Sequence, residues 1–318
     1  MPELPEVQAH VERLSRPVAD GGFAGATLSG FTPITFTALK TALPAPTEAV
    51  GWPLARVDRR GKFLLLRFDG SDAATAATTT ATTTATTAAT AAEATAAEAT
   101  AETSDLTFVV HLMQGGRLVP DPVQSARPRN GIARWTFDDG TALLLTEAGK
   151  ERKAGVWVVA GDPLTQPPLD DLGIDADAVT RDQLATALRA KGTRLHTFLR
   201  EQHGIAGVGR MLANEICHRA RLSPFASTNK LTDDQIDALL AAIDSCIADA
   251  LAFERGLDRM SKSAERPGSV HHRKGDACPV CGDTVRAVEY NAYEVDYCPT
   301  CQTAGKVLAD NTTSKFLK

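Results

Sequence analysis

The chain has no run of eighteen consecutive apolar residues, which excludes an apolar membrane-spanning helix. Its start, Met1-Pro2-Glu3-Leu4-Pro5-Glu6, has neither the basic lead nor the apolar stretch of a secretory leader, so export is not expected. Cysteine is scarce: six in 318 residues cannot build a disulfide scaffold. Four of them fall in two Cys-x-x-Cys pairs, which in a reducing cytoplasm points to metal. A strong charge of one sign is missing too, and a formal net charge of −5 taken alone argues against a polyanionic partner. What is present, 43% hydrophobic and 23% charged residues over this length, describes a globular protein of about two domains with a sizeable core.

The charge average conceals its distribution. Residues 71–104 hold 15 Ala and 13 Thr in 34 positions, with Asp72, Glu93, Glu98 and Glu102 as the only charges. Such a tract has little to bury and cannot offset the entropy of ordering, so it reads as a loop insertion, not a domain. Without those four acids the rest of the chain is close to neutral. Within that remainder the bases gather in three places: 189–221 (including Arg200 and Arg210), 255–275 (including Arg273 and Lys274), and Arg56, Arg59, Arg60 and Lys62. One basic run is usually a solvated face. Three in a near-neutral chain form an electrostatic footprint for nucleic acid.

The first half reads as β. Residues 63–68, 106–111 and 133–137 are short apolar or alternating runs, and Asp138-Asp139-Gly140 before Thr141 signals a hairpin. The second half reads as α. Thr180-x-x-Gln183 and Thr232-x-x-Gln235 are capping boxes, and Leu184, Leu188, Ile236, Leu239 and Ile243 recur at helical spacing. Gly204, Gly207 and Gly209 lead into a further helix, where backbone amides at the positive end can approach a phosphate.

Cys278-Pro279-Val280-Cys281 and Cys298-Pro299-Thr300-Cys301 stand sixteen residues apart, the spacing of a four-thiolate zinc site around a β-hairpin. Four thiolates leave no open coordination position, so one structural Zn2+ is expected; His271 and His272 are rival ligand candidates, read in preference as part of the basic approach to the finger. Cys217 and Cys246 lie on apolar helical faces and read as core. If Met1 is removed, Pro2 presents a secondary amine that titrates near ~8, so a neutral nucleophilic fraction exists at physiological pH. Glu3 beside it is placed to move protons.

The Pro-Glu-Leu-Pro-Glu-Val start, Gly61-Lys62 entering a strand, the His111-Leu112 segment, the glycine-rich helical corner and the terminal four-cysteine finger closely resemble the formamidopyrimidine-DNA glycosylase/endonuclease VIII family. The resemblance spans nearly the whole chain in order. It implies an α+β multidomain fold: an N-terminal β-sandwich over 1–160 interrupted by 71–104, a linker at 161–172, a helix–two-turn–helix domain at 173–275, a zinc finger at 276–304 and a tail at 305–318. It implies damaged double-stranded DNA as partner, a monomer, no membrane association and a cytoplasmic place, with the nucleoid in a bacterium. Pro2 would be the Schiff-base nucleophile, Glu3 the general acid, and Lys62 a phosphate-binding catalytic group that helps keep the Pro2 amine neutral. His111, Gln114, Lys150, Arg152, Lys153, Arg210, Arg273 and Lys274 would contact DNA, and Cys278, Cys281, Cys298 and Cys301 would hold zinc. A damaged-DNA binder of this fold without efficient excision is the second reading.

Four positions depart from the family pattern. Gln114 stands where oxidised-purine members place a wedge methionine, and residues 146–153 lack the Arg-Phe pair of the next wedge loop. Arg210 follows Gly209 where asparagine is usual, and Tyr293 replaces the finger arginine. An apolar wedge supports unstacked DNA by packing, so these departures imply a different lesion preference.

Overall fold

The computed structural model describes residues 1–71, 105–149, 151–290 and 293–308. The expectations for the Ala/Thr insertion beyond Ser71, for Lys150 and for the end of the tail lie outside the described residues. In chain order the elements are α1 (Leu4–Leu14), β1 (Leu28–Pro33), β2 (Leu54–Arg60), β3 (Phe63–Asp69), β4 (Asp105–His111), β5 (Gly116–Pro120), β6 (Gly131–Phe137), β7 (Ala142–Glu147) and β8 (Gly155–Ala160). There follow β9 (Ile174–Asp175), α2 (Arg181–Ala190), α3 (Leu195–Arg200), β10 (Ile205–Ala206), α4 (Arg210–Arg219), α5 (Asp233–Arg255), β11 (Arg286–Glu289), β12 (Glu294–Tyr297) and α6 (Pro299–Thr303).

The chain divides into two compact units, one of residues 12–58 and 64–170, the other of 1–11, 59–63 and 171–318. The chain start and the β2–β3 turn therefore group with the helices and the finger. Among the described residues, the first unit is built on two four-stranded sheets, ordered β1-β6-β7-β5 and β2-β3-β4-β8. The expected hairpin forms: β6 and β7 pair antiparallel with Thr136 opposite Ala142, and Gly140 takes φ +82° in the turn. Residues 106–110 are all buried, as a strand covered on both faces requires, and β4 pairs with β8 from Leu106–Ala160 to His111–Gly155. Aromatic rings join the sheets: Phe31 of β1 lies 5.5 Å from Phe108 of β4, which lies 6.1 Å from Trp135 of β6. This is the sandwich expected from the resemblance.

In the second unit both capping boxes form. The Gln183 side chain accepts the Thr180 amide at 2.9 Å, and the Gln235 side chain accepts the Thr232 amide at 3.0 Å. Leu184, Leu188, Leu212, Ile216, Leu239 and Ile243 meet in one core that also takes Leu4 from the chain start. Cys217 and Cys246 are buried in that core, in agreement with their apolar spacing. In the finger, β11 and β12 form an antiparallel hairpin from Arg286–Tyr297 to Glu289–Glu294. Among the described residues, no helix is long and apolar enough to cross a membrane.

Candidate active site and metal centre

α1 begins beneath the N-terminus of α4, and this sets Glu3. Its carboxylate accepts the amides of Gly209, Met211 and Leu212 at 2.9, 3.0 and 3.0 Å. Gly209 permits the approach, since a Cβ there would fall 2.4 Å from the Glu3 carboxyl carbon. The glycine-rich corner thus differs from the sequence expectation. Its amides and helix dipole hold an anion, but that anion is the chain's own carboxylate, not a phosphate.

Glu6 closes the first turn of α1. One oxygen accepts the Glu3 amide at 2.5 Å, a capping-box bond, and the other pairs with Arg266 at 2.9 Å. Burial pushes the Glu6 carboxyl up to about 7, against the opposing pull of Arg266. Sequence reasoning assigned Glu6 no role, because its partner lies 260 residues away.

Lys62 follows Gly61 in the β2–β3 turn. Gly61 adopts φ +56°, a backbone state that favours glycine, and its amide donates to Asp175 at 2.8 Å. Asp175 also pairs with Arg59 at 2.9 Å and with Arg60, while Arg59 reaches Asp177 and Gln8. Arg56 pairs with Asp58 at 2.6 Å. The basic cluster at 56–62 is therefore not a free electrostatic footprint: two of its arginines clamp the turn that presents Lys62. Lys62 is 5% exposed. Burial brings its pKa down to about 8, with Arg200 adding to the fall and Glu3 and Glu6 opposing it. Pro2 is buried and Met1 before it is 38% exposed. With Met1 in place the proline nitrogen is an amide; without it, it is a secondary amine next to the seated Glu3.

Arg210 opens α4, half-buried, 6.0 Å from the Tyr293 ring. Arg273 pairs with Asp276 at 3.1 Å, and Lys274 pairs with Glu289. These three share a unit with Pro2, Glu3 and Lys62. His111, Gln114, Arg152 and Lys153 lie in the sandwich unit. There His111 Nδ1 accepts the Met113 amide at 3.0 Å, Gln114 is exposed, Arg152 donates to Asn130 at 3.2 Å, and Lys153 pairs with Glu151 at 2.8 Å. Gly116 faces Glu147 across the β5–β7 ladder, so the Gln114 loop and the loop carrying Arg152 and Lys153 occupy the same edge of the sandwich.

The finger brings its four sulfurs together, with Cys278 and Cys301 3.9 Å apart and Cys281 and Cys298 3.4 Å apart. A tetrahedral zinc site with Zn–S bonds of about 2.3 Å has S···S edges of about 3.8 Å, so the set fits zinc. His218 of α4 places Nε2 3.3 Å from Cys278 Sγ, and its donor atom with those of Cys278, Cys298 and Cys301 falls within a 4.8 Å cluster. A ring N–H held against a thiolate is the usual outer-shell support of a thiolate site. Sequence spacing missed it because His218 sits on a helix 60 residues before its partner. His271 instead meets Asn214 at 2.9 Å and Asp296 at 3.3 Å, and His272 meets Glu294 at 3.2 Å, outside the sulfur cluster as expected.

A buried carboxylate at the chain start, a buried lysine in a strand turn and a cysteine hairpin thus share one unit with the helices. Family models agree along the chain: the formamidopyrimidine-DNA glycosylase N-terminal domain matches 1–156, its H2TH domain 172–261, and a zinc finger found in FPG and IleRS 275–304. The chain belongs to the formamidopyrimidine-DNA glycosylase family. An uncharacterized formamidopyrimidine-DNA glycosylase-like protein of Mycobacterium tuberculosis is 44% identical over 149 residues, 46% of this chain and 94% of that protein. The formamidopyrimidine-DNA glycosylase of Geobacter sulfurreducens is 26% identical, over 95% of this chain and all of that one. The crystal structure of MutM (Fpg) from Thermus thermophilus superposes with TM-score 0.71 at 24% identity, covering 95% of this chain and 98% of that one. A Lactococcus lactis Fpg bound non-covalently to DNA containing an AP site superposes with TM-score 0.73 at 18% identity, covering 95% and 99%.

Proposed function

We propose that the protein is a bifunctional DNA glycosylase and abasic-site lyase acting on damaged double-stranded DNA. The observation that carries this reading is the seating of Glu3 on three helix amides, directly after Pro2 and in electrostatic reach of the buried Lys62. With Met1 removed, the neutral Pro2 amine adds to C1′ of the damaged nucleotide as the bond to the base breaks, the base taking the bond electrons. The proton released from the amine passes through Glu3 to O4′, and the C1′–O4′ bond opens to the iminium. Loss of a C2′ proton then expels the 3′ phosphate, nicks the strand and leaves the sugar on Pro2 until water releases it. Lys62, with its pKa near 8, disfavours a proton on the Pro2 amine while protonated and binds phosphate beside the reacting sugar. Cys278, Cys281, Cys298 and Cys301 hold one zinc ion, which supplies folding energy to the hairpin and no chemistry.

The exposed Gln114 supports a shifted lesion preference. A polar side chain buried unpaired in a DNA gap costs about 1–3 kcal/mol, so open abasic sites are preferred over 8-oxoguanine paired with cytosine.

Borohydride trapping on an abasic duplex tests the reading, after mass spectrometry has verified loss of Met1. Wild type gives a covalent adduct and Pro2→Gly loses it. Glu3→Gln slows base excision by about a hundredfold or more while trapping at preformed abasic sites falls less. Equal trapping by wild type and Pro2→Gly would overturn the assignment.

A further inference from the structure

The tip of the finger hairpin carries an aromatic pair that the catalytic residues do not use. Tyr290 and Tyr293 stack with ring centroids 4.8 Å apart and planes 15° from parallel. The Tyr290 amide donates to the Tyr293 carbonyl at 2.8 Å, which fixes their spacing. Three arginines of the helical domain surround the pair. Arg194, just before α3, donates to the Tyr290 hydroxyl at 2.9 Å. Arg200, the last residue of α3, lays its guanidinium over the Tyr293 face, 4.6 Å from the centroid. Arg210, the first residue of α4, approaches the same ring at 6.0 Å.

A guanidinium lying on a ring is held by its face, and its N–H edge stays free for an anion. Among the described residues neither Arg200 nor Arg210 is in an ion pair, although both are half-buried. The acids of the same hairpin are otherwise engaged, Glu289 with Lys274 and Glu294 with His272. Two cations on one ring repel each other, and a cation–π contact returns only about 0.5–1 kcal/mol at a solvent-accessible site. A negative group reached by both guanidiniums would offset that repulsion. Arg200 also adds to the fall in the Lys62 pKa, secondary to burial, so its charge is within electrostatic reach of that lysine.

We propose that Arg200, steadied by Tyr293, and Arg210 form a clamp for one phosphodiester of the DNA strand that carries the reacting sugar. The proposal rests on the lyase reading above and deepens it. Arg200 is a positioning residue: it fixes the strand, and Pro2 and Glu3 act on the sugar. Tyr293 thereby holds an arginine supplied by α3, where the sequence had suggested only the loss of a finger arginine.

The test is binding of the full protein to duplexes that carry a reduced abasic site and, one at a time, a neutral methylphosphonate at each flanking linkage. For wild type, one linkage should weaken binding about tenfold when neutralised, the loss of one charge-assisted hydrogen-bonded contact. In Arg200→Leu that linkage should lose its effect, while affinity for the unmodified duplex falls about tenfold and the salt slope drops by about one. Arg200→Lys, which keeps the charge and gives a second folded variant, should retain the sensitivity in part. Thermal melting of each variant separates loss of fold from loss of contact. Equal sensitivity of wild type, Arg200→Leu and Arg200→Lys at every linkage would overturn the clamp and leave the lyase reading intact. Failure of wild type to bind or trap any abasic duplex would overturn both.

Discussion

The sandwich unit and the helical unit of this chain both bury apolar cores, but the helical unit buries many more charged and polar side chains among them. In the sandwich, Phe68, Phe108 and Trp135 are fully buried and interlock across two sheets, and the ladders satisfy the backbone. In the helical unit, Glu3, Glu6, Lys62, Asn214, His196 and Asp296 are all buried as well. Apolar contacts are forgiving because they have no direction, whereas a buried charge is tolerated only where named donors or counter-charges meet it. The first arrangement builds a scaffold. The second holds Glu6 and Lys62 where burial moves their pKa values toward neutrality, to about 7 and about 8.

The sharpest way to break this contrast is to remove one large group from each unit. Phe108→Ala should destabilise by about 3–5 kcal/mol through its cavity, with no dependence on pH. Arg266→Leu, which strips Glu6 of its counter-charge, should cost about 3–5 kcal/mol as a broken buried pair, but with a strong pH dependence. The carboxyl of Glu6 already stands at about 7 in the fold against an ordinary 4.5, and removing Arg266 raises it further. The unfolded chain ionises near 4.5 in both proteins, so the difference between them follows the folded values: the loss should be smallest below pH 7, where Glu6 is protonated in both folds, and grow above about 7, where only wild type ionises it. Melting curves from pH 4 to 8 check both; parallel pH profiles for the two variants would erase the distinction.

A smaller effect of opposite sign comes from Lys62. Its pKa of about 8, against an ordinary 10.5, means the protonated lysine opposes folding below pH 8, and that cost fades between pH 8 and 10.5. Lys62→Met should therefore raise neutral-pH stability by roughly 2–3 kcal/mol while lowering strand cleavage. A variant both less stable and less active would mean that the lysine is held by more than its surroundings reveal.

The smallest effect belongs to the insertion. Asp69 ends β3 and Asp105 opens β4. Replacing residues 71–104 with a few Gly and Ser residues should change stability by less than about 1 kcal/mol, since loop-closure entropy varies slowly with length. Trapping and melting should both match wild type, and a large loss in either would show that the tract belongs to the working molecule.

Local and long-range features differed in how far they could be read in advance. The apolar runs of β3 and β4, the Asp-Asp-Gly turn and the capping boxes at Thr180 and Thr232 are local, and local periodicity announces them. The cysteine spacing announced the finger for the same reason. Asp175 clamping Arg59 and Arg60, Glu6 meeting Arg266, and His218 reaching Cys278 have no local signature, since their partners lie 60 to 260 residues away. The glycine corner was legible as an anion site, but not the anion that fills it.

The distance in sequence between Glu3 and its amide donors also sets an order of assembly. Residues 209–212 are made about two hundred positions after Glu3, and Arg266 later still. At synthesis rates of about 5–20 residues per second, the nascent amino terminus waits roughly ten to forty seconds for the helix that seats it. Until then the Glu3 carboxylate beside Pro2 has no seat. A partly translated or prematurely terminated chain thus lacks the seated Glu3, and under the proposed mechanism it cannot cut a strand.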